Sequence, residues 1–248
     1  IGGSTDALLC LGAQGFQFAC AAELLRDYQP WVDSGGFASF QIMLLEKFYE
    51  NPANGAGIRG FLNSHNGTCY SHYWLNWEGF ALSAAAAIGI VCDRRDIFDH
   101  AVNYYKSTGV GNGLATRAVH FMHPGYLGQS QEMGRDMGHA SLDPVLFAQF
   151  AEVAWNQGED LYGYNDNGIL AMNEYTVRAM TQDGVPWVNY AGCDVNTTNV
   201  STGSNFRAGQ DLIWNHYVNR RGLSAPYTVP WSIANRPEGG GGNYGGNS

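Results

Sequence analysis

Positive charge is scarce in this chain. Thirteen lysines and arginines stand against 22 acidic residues, giving a net charge of -9 over 248 residues. Nucleic-acid phosphates need a basic footprint, so the balance argues against nucleic acid as a partner. It leaves an anionic sugar open, because a few arginines in a cleft can serve a carboxylate on an otherwise acidic surface. Long apolar runs are also missing. The longest, residues 81–92, is shorter than a bilayer span, so no membrane is expected as a partner. No charged-then-apolar leader opens the sequence.

Other absences narrow the chemistry. The five cysteines (Cys10, Cys20, Cys69, Cys92 and Cys193) form no CxxC pair, which weakens zinc and thioredoxin-type readings. Their number is odd, so at least one thiol has no partner within the chain, and spacing alone does not fix the pairing. There is no GxSxG elbow and no phosphate loop. The glycines at 239–242 lack the following helix and lysine of a nucleotide cradle. His120 and His123 are three apart without an HExxH pattern, so no metal is expected, and no cofactor.

What is present reads as helix. Apolar residues recur at helical spacing over residues 7–28, 37–49, 71–91, 96–106, 131–155, 168–181 and 206–219. Strand-like alternation is hard to find. The spacing predicts an all-α chain of antiparallel helical hairpins, an α/α barrel or incomplete α/α toroid. The length suits one domain, 1–237, followed by a glycine-rich tail at 238–248. Three sequons, Asn66, Asn196 and Asn199, together with the low lysine content, point to a secreted, extracellular protein.

Four stretches could carry chemistry. Residues 65–77, HNGTCYSHYWLNW, mix histidine, asparagine, tyrosine and tryptophan in a way that suits a carbohydrate cleft. The same stretch holds the Asn66 sequon, and a glycan there is hard to reconcile with a working site. In GQSQEMGRDMGH, residues 128–139, Glu132, Arg135 and His139 fall at spacings of three and four, one face of a helix. A solvated ion pair is the ordinary reading of such a face. Here the pattern runs on into Leu142, Val145, Leu146 and Phe150, which places the polar cluster at the head of a buried helix. Residues 155–167 read as a helix end and a packed loop. His216 and Arg220, one turn apart, read as a helix-end cap or as weak substrate contacts.

These segments resemble the alginate lyase superfamily of polysaccharide lyases, nearest the subgroup acting on alginate or glucuronan. The residues that carry the resemblance are HNGTCYSHYWLNW, AIGIVCDRRDIFDHAVNYY, GQSQEMGRDMGHASL, AEVAWNQGEDLYGYNDN and NRRGLSAPYT with RPEGGGG. The likeness covers about residues 1 to 245. It implies an α/α toroid and β-elimination on a polyuronate, with no cofactor. Family members are usually longer at the N-terminus, which makes a partner chain over that end an expectation.

The family uses an asparagine, a histidine, an arginine and a tyrosine. By the resemblance, Asn66 and Arg135 would neutralise the uronate carboxylate, and His72 and His139 would move protons. His65, Tyr73, Trp74, Trp77, Tyr126, Gln131, Glu132, His216 and Arg220 would support or contact substrate. The tyrosine is the departure: His139 stands where it would align, and Tyr73 and Tyr126 are the other sources. Two rivals remain. One is a glycoside hydrolase, for which Glu132 and Asp136 are available but lack an obvious opposing carboxylate. The other is a non-catalytic sugar-binding protein on the same scaffold.

Overall fold

The computed structural model describes residues 6–182 and 184–236, and the tail expected at 238–248 lies outside them. The described chain is mostly helical, as the sequence predicts. In chain order the helices are α1 Ala7–Leu24, α2 Gln29–Asp33, α3 Gly36–Leu44, α4 Gly57–Ser64, α5 Leu75–Val91, α6 Arg95–Asn103 and α7 Ala115–Ala118. They continue as α8 Met137–Ala140, α9 Leu142–Trp155, α10 Tyr164–Thr181, α11 Gln210–Ile213 and α12 Thr228–Ala234. Two short antiparallel ribbons were not foreseen. One pairs β1 Val119–His123 with β2 Leu127–Ser130, and the other pairs β3 Tyr190–Ala191 with β4 Asn196–Thr197.

The centre is α5. It is apolar on every face, the mark of a helix surrounded by protein, and nearly all of it is buried. Its small residues let α1, α6 and α9 approach closely. A Cβ on Gly79 would come within 2.9 Å of Leu146 Cβ in α9, and one on Gly89 within 2.7 Å of the Phe98 amide nitrogen in α6. The main apolar core runs from Leu11 to Ala225 around this helix. A smaller one (Leu127, Met133, Met137, Ala140 and Tyr175) lies beneath the loops after β2.

Helix α1 buries one stripe, including Leu11, Gly15 and Ala19, and leaves Phe18 and Leu24 exposed. By length and composition it is apolar enough to cross a membrane, with a mean hydropathy of 1.3 over 18 residues. This corrects the expectation that no stretch reaches that length. Its two glutamines interrupt the run without lowering the average far enough.

Two predicted helices start late or break, and both departures shape the site. Residues 71–74 are not helical. Trp74 is extended (φ -72°, ψ 152°) and α5 begins at Leu75, so His72, Tyr73 and Trp74 stand on a loop. Residues 131–155 are not one helix but a 3-10 turn at Gln131–Gly134, then α8, then α9. Asp136 is fully extended and caps α8 with its side chain. Pro144 has no N–H and is tolerated only in a first turn, which fits a fresh start at Leu142.

Candidate functional site

The stretch 65–77 divides into a buried anchor and an exposed strip. His65 and Asn66 turn the chain after α4 with φ of 49° and 53°, the left-handed region that asparagine tolerates better than most residues. The His65 ring is fully buried. Its Nδ1 lies 2.9 Å from the Cys69 carbonyl and its Nε2 lies 2.9 Å from Glu78 Oε1. Glu78, also fully buried, accepts the Asn112 amide at 2.8 Å and the Gly113 amide. Neither ring nitrogen reaches the surface, which corrects the assignment of His65 as a substrate contact. It ties the turn to α5, and Glu78 ties α5 to the glycine-rich loop at 111–113.

The strip begins across a disulfide. Cys69 bonds Cys193, far along the chain, and brings the loop after β3 against the start of α5. Ser71 Oγ accepts the amides of Asp194 (3.0 Å) and Val195 (3.4 Å), fixing that loop. Asp194 Oδ2 then lies 2.5 Å from His72 Nδ1. A carboxylate accepts, so Nδ1 carries the proton and Nε2 is free to accept one.

Two sets of contacts follow, which meet where Tyr73 and Trp74 are neighbours in the chain. The His72 and Tyr73 rings meet edge to face at 4.8 Å, and Tyr73 meets Trp77 at 5.0 Å. Asn66 Nδ2 donates to the Tyr73 hydroxyl at 3.0 Å. The Arg135 guanidinium sits 4.9 Å over the Trp74 ring. It donates to Glu132 Oε1 at 3.0 Å and lies 3.8 Å from Asp136. Asp136 Oδ2 is 2.6 Å from His139 Nδ1. Burial pushes the Asp136 carboxyl up, but the His139 amide and ring and Arg135 outweigh it and hold it below the usual range. Asp136 thus stays ionised and orients the His139 ring through Nδ1.

Glu132, Arg135 and His139 do not share one helix face. Glu132 lies in the 3-10 turn, Arg135 ends it, and His139 belongs to α8. Glu132 is fully buried: it accepts the Asn76 amide at 2.8 Å and the Arg135 guanidinium. Gln131 is buried too, donating to the Ser71 carbonyl at 3.3 Å. Both were expected to contact substrate, and both instead hold backbone or Arg135 in place. Glu132 is committed inside the protein, so of the two acids considered for a glycosidase only Asp136 is exposed.

Three expected contacts lie elsewhere. Tyr126 sits in the turn between β1 and β2 with a φ of 64°. Burial and the Asp166 charge raise its pKa, opposed by a bond with Asn167, which places it beside the start of α10. His216 is buried, stacked on Tyr162 at 3.9 Å, and burial pushes its pKa down. Arg220 grips Glu152 with two bonds of 2.9 and 2.8 Å. Glu152 is ten residues along α9 from Leu142, about 15 Å at the helical rise. His216 and Arg220 belong to that far end. Asn196 and Asn199 are exposed on the loop that bears Asp194.

Sequence reasoning missed Asp194, Asn76 and Glu78. Only Glu78 carried a signal, as a lone acid inside an apolar helix. Among the described residues no group of three or more histidine, cysteine or acidic side chains is arranged to hold a metal. No family model, curated protein or solved structure matches the chain.

Proposed function

We propose that the chain is a secreted polysaccharide lyase that cleaves a polyuronate by β-elimination, on a scaffold of the incomplete α/α toroid kind. One observation carries the reading. Two partly exposed clusters, adjacent at Tyr73 and Trp74, hold an arginine over a tryptophan, two acid-backed histidines and an Asn–Tyr pair.

β-Elimination needs these parts. The C5 proton of a uronate is weakly acidic until its carboxylate is neutralised. Arg135, steadied by Glu132 and Trp74, supplies a planar fork for that carboxylate, and Asn66 supplies a neutral donor. A base then takes the C5 proton and an acid protonates the departing O4. His72 and His139, each with Nε2 free to accept, are the candidate bases, and the Tyr73 hydroxyl is the candidate acid. The C4–O4 bond breaks as the C4–C5 double bond forms, so no oxidant or cofactor enters. Trp77 and Trp74 offer faces for sugar rings.

The test is incubation of the folded chain with alginate, polymannuronate and glucuronan, following the ultraviolet absorbance of unsaturated ends. Absorbance that grows on at least one polyuronate is expected. Silence on all three, or saturated reducing ends only, sinks the reading. The Asn66 role predicts no glycan on that side chain in secreted material. Mass spectrometry of the peptide that contains it answers directly.

A further inference from the structure

Beside the strip lies a cleft of about 630 Å³ between α1 and the first turns of α5 and α9. Leu9, Phe80 and Leu142 give it an apolar wall, and Asn76, His139 and Arg207 give it a polar side. Arg207 is unusual within this chain. Every other arginine has a carboxylate within ion-pairing distance or lies over a tyrosine ring. Among the described residues Arg207 has neither.

Among the described residues its one hydrogen-bond partner is the Gly138 carbonyl, 2.7 Å from Nη2, which leaves most of its five donors unused. Its Nε is buried without a partner. Burial pulls its pKa below the ordinary arginine value, against the pull of Asp136. A half-buried guanidinium whose neighbouring acid, Asp136, stays outside ion-pairing distance is costly to hold, and a direct carboxylate partner would offset that cost. Asn76 adds a second unmet group on the same cleft, because its Oδ1 is buried without a partner.

We infer that Arg207 is a carboxylate-binding residue of a second sugar subsite, in which the cleft holds the uronate next to the one gripped by Arg135. Asn76 accepts a hydroxyl of that sugar, and the apolar wall receives its ring face. His139 borders both subsites, which puts the scissile bond between them. The subsite makes the protein select chains of consecutive acidic sugars over chains with a single uronate. The inference rests on the lyase reading for the identity of the ligand, but its test does not depend on turnover.

The experiment is calorimetric titration of the full chain with tetrasaccharides of glucuronan and of polymannuronate, and with their carboxyl-reduced counterparts. Arg207→Gln should weaken binding of an acidic tetrasaccharide by about ten- to a hundredfold, the worth of a charged hydrogen bond. It should leave the neutral counterpart unchanged. If Arg207 only props the Gly138 carbonyl, both saccharides weaken alike, and that result overturns the inference. So does unchanged binding of the acidic one, or an unmodified chain that binds no acidic tetrasaccharide. Should Arg207→Gln fail to fold, Arg207→Lys replaces it, with a smaller loss expected on the acidic saccharide only. Selective weakening without any unsaturated product keeps the subsite and removes the lyase reading. Unsaturated product formed by Arg207→Gln at an unaltered KM keeps the lyase reading and removes the subsite.

Discussion

Two acid–imidazole pairs in this molecule have the same composition and opposite circumstances. His65 and Glu78 meet at 2.9 Å with both side chains fully buried. His139 and Asp136 meet at 2.6 Å with 40% and 48% of their side chains exposed. In the first pair no atom reaches solvent: Nδ1 of His65 faces the Cys69 carbonyl, and Glu78 accepts the amides of the 111–113 loop. In the second, Asp136 orients the ring and leaves Nε2 open to a cleft. Residue type therefore does not separate a buried fastening from an exposed, available imidazole here. What separates them is whether the ring reaches solvent.

The largest expected effect breaks the buried member. Glu78→Ala removes the acceptor of two backbone amides and the partner of His65, leaving buried donors unmet. Losing one partner of such a network costs about 3–5 kcal/mol, a large share of a domain's stability. Denaturant melts should show that loss, with the 111–113 loop and the 65–67 turn opening together. If Glu78→Ala melts like the unmodified chain yet loses activity, the two pairs are not opposites and Glu78 belongs to the chemistry.

The exposed member should behave in reverse. His139→Ala should lower the rate of unsaturated-product formation by roughly 100- to 10,000-fold, the usual worth of a positioned acid or base. Its melting midpoint should move little, within about 0.5 kcal/mol, as for most surface substitutions. A full rate in His139→Ala would leave proton transfer to His72 and Tyr73. A lost fold would make His139 a second fastening.

The contrast also shows what could be seen in the sequence. The helices were legible where apolar residues recur over three or more turns, as in α1, α5, α9 and α10. The ribbons were not. All of β2 is buried, so its residues show no alternation, and β3 and β4 are two residues each. The breaks at residues 71–74 and 135–141 were hidden because Trp74, Arg135 and His139 also fit a helical repeat. Within the site, Arg135, His139, His72 and Tyr73 could be named because they stand in dense local motifs. Asp194 and Arg207 could not. Each is a single charged residue in a polar loop, and each reaches the site through tertiary contacts, Asp194 through a disulfide that five cysteines do not specify. His65 and Glu132 were misplaced for the opposite reason: a motif names residues but does not show which way they point.

A third acid sharpens the comparison because, among the described residues, it is buried with no base within ion-pairing distance. Asp143 opens α9, accepts the Ser130 hydroxyl at 2.8 Å and faces Glu132. Burial, then the charge and hydrogen bond of Glu132, raise its pKa well above the ordinary carboxylate value, opposed in part by Ser130 and Arg135. An unfolded aspartate titrates near about 3.9. Between that value and its raised native value, the folded chain holds a proton that the unfolded chain has lost. Stability from this group is therefore complete below the unfolded value and falls as pH rises towards the native one, by up to about 1.4 kcal/mol per pH unit. Asp143→Asn has no such proton, and its amide can still donate to Glu132 and accept from Ser130. Its stability should gain on the unmodified chain steadily as pH rises above about 4, with little difference below. Denaturant melts across that range measure the two slopes. Parallel curves would mean that Asp143 is ionised beside Glu132, and that a buried acid in this fold needs no base to hold its charge.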